Sequence, residues 1–166
     1  MKDIDRIRTM FEMQMALDSA IYEGHGVEYN REKTRLALFD EIGEMVHELK
    51  ADWCWWKKTV KPVDRAKVLE ELVDCWHFGM SIDYHSGSLE GKLILLETNL
   101  EGTDTLIFRS GIMQTLSGLI TSTMNSNNVV QALIRITYNL GFSIEDVYNT
   151  YLTKNAENYE RLRKGY

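Results

Sequence analysis

The chain has 166 residues, of which 44% are hydrophobic and 27% charged, with a formal net charge of −6. That much apolar material supports a packed core and excludes a disordered chain, while the negative balance disfavours a nucleic-acid polymer or an anionic membrane as partner. A single proline, Pro62, and the lack of any Pro/Gly/Ser-rich linker point to one domain over residues 1–166.

In chain order, Ile4, Ile7, Met10, Phe11, Met13, Leu17 and Ile21 recur at helical spacing and predict an amphipathic helix over 3–22. The opening MKDIDRIRTMFEMQ is charged throughout, which reads as no signal peptide, and no stretch approaches the roughly 20 apolar residues of a membrane span. The expected setting is cytoplasmic. Gly24 and Gly26 then open a loop. A second helix is expected from about Glu32 to Lys58, with Leu36, Leu38, Phe39, Ile42, Met45, Val46 and Leu49 followed by Trp53, Trp55 and Trp56. Pro62 breaks the chain, and Asp64 caps a third helix reaching about Tyr84. Segment 86–104 predicts a short helix between loops. Another helix is expected over 105–124, and one or two more over 128–139. Gly141 ends that run, and Ser143, with Asp146 three residues on, caps a last helix to about Arg163. No strand alternation is sustained, so the fold class is all-α, an antiparallel bundle of five to seven helices. Cys54 and Cys75 sit beside tryptophans and read as buried small hydrophobes, with no close-spaced pair for zinc.

The chemistry lies in the carboxylates. Four acidic pairs stand at i, i+3: Glu41/Glu44, Glu71/Asp74, Glu101/Asp104 and Glu157/Glu160. With 25 acidic residues in the chain, about four such pairs arise by chance, so spacing alone carries nothing. Context separates them. The first two are embedded among Leu, Val, Trp and Phe, where an unpaired carboxylate costs several kcal/mol to bury. Each pair shares a helix face, and two such helices side by side gather four oxygen donors suited to Mg²⁺. The other two pairs lie in a charged segment and a Gly-containing loop and read as solvated. A competing grammar is Glu44-x-x-His47 with Asp74-x-x-His77, the ligand pattern of di-iron carboxylate bundles. Here the motifs fall on consecutive helices without the intervening lone Glu, and both histidines read better as polar residues at a helix seam.

Several ordered blocks resemble the dimeric dUTPase family, within the all-α nucleoside triphosphate pyrophosphatases that also include MazG-like enzymes and dCTPases. They are MFEMQMALD with Gln14 and Asp18, EIGE (41–44), WWKK (55–58), EELVD (70–74) and KNAENYERLRKGY (154–166). The resemblance implies Mg²⁺-dependent hydrolysis of dUTP to dUMP and pyrophosphate by a homodimer. Glu41, Glu44, Glu71 and Asp74 would hold the metal, with Glu41 orienting the attacking water. Lys154 and Arg161, and with them Lys57, would face the phosphates. Asn155 and Asn158 would contact sugar or phosphate oxygens, Gln14 and Asp18 the uracil edge, and Trp56 the base or the pocket wall. Two positions depart from the pattern. Asp18 stands where many relatives have Asn, and an ionised carboxylate accepts but does not donate hydrogen bonds. Cys54 stands at the first Lys of a Lys-x-Trp-Lys region. A dCTPase or broader triphosphate pyrophosphatase is the alternative within the same chemistry.

Overall fold

The computed structural model describes residues 1–101 and 111–165. Eight helices lie among them: α1 (Asp3–His25), α2 (Arg31–Glu48), α3 (Lys50–Trp53), α4 (Arg65–His85), α5 (Leu89–Glu101), α6 (Ile112–Asn125), α7 (Val129–Asn139) and α8 (Ile144–Arg163). The all-α class holds, with one helix more than the expected upper count. Among the described residues no helix is long and apolar enough to cross a membrane. The segment expected to start a helix at 105 begins outside the described residues, which resume before α6.

The caps foreseen in the sequence are in place. Asp64 accepts the backbone N–H of Ala66 and Lys67, and Ser143 and Asp146 form a reciprocal capping box. Gly26 ends α1 in the left-handed conformation, where the lack of a Cβ removes the steric penalty. The second helix is shorter than expected. It stops at Glu48, a four-residue helix follows, and 54–64 leaves helical geometry. The tryptophan run is the reason: Trp55 is 88% and Trp56 56% exposed, so these rings do not extend the apolar stripe, and the Trp53 indole instead donates to the Val46 carbonyl at 2.9 Å.

Helix α4 is the axis of the molecule, packing on α1, α2, α7 and α8. Its buried Leu72, Val73, Trp76 and Met80 meet Leu38, Ile42 and Met45 of α2, Phe11 of α1 and Leu133 of α7 in one core. Trp76 is fully buried and donates to Thr137 Oγ1 at 3.2 Å. A Cβ on Gly79 would stand 2.4 Å from Leu133 Cδ1, so the bare glycine lets Leu133 of α7 pack directly on the α4 backbone. The N-cap of α7, Asn128, supplies no side-chain bond. Buried Asp83 of α4 accepts the Val129 and Val130 N–H groups at 3.2 and 2.8 Å instead, and Lys92 Nζ stands 3.0 Å away.

Candidate active site

The close packing of α2 on α4 follows from the apolar faces just named, and it sets Glu41 and Glu44 against Glu71. Ligand oxygens of these three carboxylates lie within 4.8 Å of one another. Burial, then the charges of Asp74, Glu44 and Glu71, push the Glu41 carboxyl up to about 7. Burial, Asp74 and Glu44 also raise Glu71. Like charges held this close favour a proton or a multivalent cation between them. The donor set is all oxygen and fits a hard divalent ion. His47 is exposed, with the Lys50 amine 3.0 Å from its ring, and His77 is buried elsewhere. Among the described residues the close metal-capable group thus contains no histidine, and the di-iron grammar is not assembled.

Asp74 is next to this group but outside it, ion-paired with Lys154 of α8. Burial raises the Asp74 carboxyl and Lys154 offsets part of that rise. Lys154 remains charged: burial works against it, and the Asp74 and Glu71 carboxylates outweigh burial.

Beside Glu41 and Asp74 opens a cavity of about 260 Å³, lined by Gln14, Asp18, His77 and Phe78 on one side and Asn158, Arg161 and Leu162 of α8 on the other. Its floor is a buried polar network. Asp18 accepts hydrogen bonds from Gln14 Nε2 (2.7 Å), the Tyr84 hydroxyl (2.6 Å) and the Ser81 hydroxyl. Gln14 Oε1 accepts from the Tyr151 hydroxyl at 2.9 Å and lies 2.6 Å from His77 Nδ1. The His77 ring stacks on Tyr151 with centroids 4.3 Å apart. Burial holds His77 neutral, lowering it to about 3. Its other nitrogen, Nε2, has no protein partner.

Of the residues singled out in the sequence, Glu41, Glu44 and Glu71 converge, Asp74 pairs with Lys154, and Gln14, Asp18, Asn158 and Arg161 line the cavity. Asn155 lies buried behind it, with Nδ2 3.5 Å from the Tyr151 hydroxyl. Trp56 and Lys57 are exposed and do not line it. Sequence reasoning missed Ser81, Tyr84 and Tyr151. It weighed His77 only as a metal ligand or a seam residue, although its i+3 position after Asp74 already set it on the same face of α4.

Helices alone among the described residues, with a three-carboxylate group whose Glu41 also lines the cavity, define the class: an all-α nucleotide hydrolase. A family model described as dUTPase matches residues 6–166, and the chain belongs to this all-α dUTPase family; it is an enzyme that hydrolyses dUTP. No curated protein matches the chain.

Proposed function

We propose that the enzyme splits dUTP into dUMP and pyrophosphate with Mg²⁺ held by Glu41, Glu44 and Glu71, Asp74 being the fourth carboxylate of the set. The observation that carries this reading is the three-carboxylate group, one member of which, Glu41, also lines the cavity. When bound, Mg²⁺ supplies charge neutralisation to the triphosphate and a Lewis acid at the phosphoryl oxygens. The chain's own residues do the rest. Glu41, the one member of the carboxylate group that lines the cavity, accepts a proton from the attacking water. Lys154 and Arg161 oppose charge that builds on the phosphates, and Asn158 offers an amide to sugar or phosphate oxygens. Trp56 and Lys57, which do not line the cavity, have no part in this reading.

The base assignment rests on His77. With Nδ1 donating to Gln14 Oε1, the unpartnered Nε2 is a hydrogen-bond acceptor on a side chain that lines the cavity. Uracil presents a donor at N3, whereas cytosine presents an acceptor there, so a cytosine base would set two lone pairs against each other. This favours dUTP over the dCTPase alternative. A homodimer is supported by the exposed apolar stripe Met113, Ile120 and Met124 on α6, which a second copy would cover. The reading takes the whole chain as one catalytic domain acting in the cytoplasm.

The test is product analysis of dUTP, dCTP, dTTP and dUDP turnover by chelator-stripped protein, with and without added Mg²⁺. The expected result is Mg²⁺-dependent release of dUMP and pyrophosphate, with dUTP preferred to dCTP by about tenfold or more, the effect of one mismatched hydrogen bond. Glu44→Gln should abolish turnover. Equal use of dCTP would refute the base assignment, and turnover indifferent to chelator would refute the metal site.

A further inference from the structure

The acceptor face of His77 depends on a chain of hydrogen bonds whose direction is set two residues away. An imidazole paired through Nδ1 to an amide has two self-consistent arrangements. In one, the amide oxygen accepts from Nδ1–H and Nε2 is an acceptor. In the other, the amide turns over, its NH₂ donates to Nδ1, and Nε2–H is a donor. Gln14 is free to choose only if its far side tolerates both ends of the amide.

Here the far side does not. Gln14 faces the Asp18 carboxylate at 2.7 Å, and an ionised carboxylate accepts only. Turning Gln14 over would put carbonyl oxygen against carboxylate oxygen inside a buried site, where Gln14 is 4% and Asp18 6% exposed. The neighbours reinforce the same direction. The Ser81 and Tyr84 hydroxyls both donate to Asp18 Oδ2 and leave Oδ1 to Gln14. On the other side the Tyr151 hydroxyl donates to the same Gln14 oxygen that faces His77. At its end stands His77 Nε2, a buried nitrogen with no hydrogen-bond partner in the protein, in a side chain that is 5% exposed and lines the cavity.

We propose that Asp18 is a positioning residue for base selection: acting through Gln14, it locks His77 as the Nδ1–H tautomer and so commits the cavity to bases that carry a hydrogen on N3. Asp18 thus acts without touching the base. The inference rests on the dUTP reading above for its consequence, although the tautomer itself exists in the free protein.

The test reads the two apart. In nucleotide-free and metal-free protein, long-range ¹H–¹⁵N correlation spectra assign which nitrogen of His77 carries the proton. Wild type should show a protonated Nδ1 and a bare Nε2. In Asp18→Asn the side-chain amide can donate to Gln14, so Gln14 turns over and a second His77 form with Nε2–H emerges, while the dUTP:dCTP ratio of kcat/KM falls about tenfold or more. Gln14→Met, which removes the relay without adding a polar group, should release the same second tautomer and covers the case in which Asp18→Asn does not fold. Ser81→Ala leaves the carboxylate in place and should keep the wild-type tautomer; a merely structural role for the network would perturb all three variants alike. A wild-type Nε2–H form, or an Asp18→Asn protein with an unchanged tautomer and ratio, overturns the inference while leaving dUTP hydrolysis intact. An enzyme inactive on dUTP that still shows the Asp18-dependent tautomer would overturn the base-selection half and the function reading together.

Discussion

Replacing Glu41 by Gln isolates the electrostatic cost of assembling the site without metal. In the wild-type protein the carboxyl rises from an ordinary 4.5 to about 7, through burial and the charges of Asp74, Glu44 and Glu71. Folding therefore favours its protonated form. Below pH about 4.5 the group is neutral in both folded and unfolded chains and costs nothing. As pH rises toward 7 the unfolded chain ionises freely while the folded one resists, and stability falls until the folded group ionises too. At about 1.4 kcal/mol per pH unit this amounts to roughly 3 kcal/mol, an upper bound because Glu41 is only half-buried and solvent screens it. About 1 kcal/mol is a realistic share. Gln has nearly the same shape and no charge, so chelator-treated Glu41→Gln should match wild type near pH 5 and exceed it by about 1 kcal/mol at pH 8, or roughly 2–4 °C in Tm for a chain of this size. Thermal denaturation followed by circular dichroism at the two pH values measures it. Added Mg²⁺ should reverse the order at pH 8 by stabilising wild type alone. A variant equally or less stable than wild type at both pH values would refute the claim that Glu41 is held among like charges.

Two further outcomes follow from the packing. Asp83→Ala leaves the first turn of α7 without its acceptor and Lys92 without its partner, and should cost about 3 kcal/mol in urea denaturation, the scale of a broken buried ion pair. The tryptophans should divide sharply. Trp76→Ala, fully buried and bonded to Thr137, should cost about 3–5 kcal/mol, whereas Trp55→Ala should stay within about 0.5 kcal/mol.

Much of this is legible in the sequence alone. The apolar period over 3–22 and the caps at Asp64 and Ser143 are local signals, decided within a few residues, and each reappears in the structure. The misreading of 49–58 has a physical cause: aromatic residues at helical spacing look like core, but only neighbours in space determine whether a ring is covered, and Trp55 and Trp56 have few. The cap of α7 was illegible for the same reason, because its acceptor, Asp83, lies 46 residues earlier in the chain.

By itself the sequence determined the all-α class, most of the helices, and the common direction of each carboxylate pair, since i, i+3 spacing on a helix sets direction without reference to anything else. Which carboxylates meet was a tertiary matter. Core packing sets the rotation of α2 against α4, and that rotation brings Glu41, Glu44 and Glu71 together while α8 carries Lys154 to Asp74. The direction of the Asp18–Gln14–His77 chain was likewise decided only in three dimensions, because a side-chain amide has no preferred orientation until its partners on both sides are known.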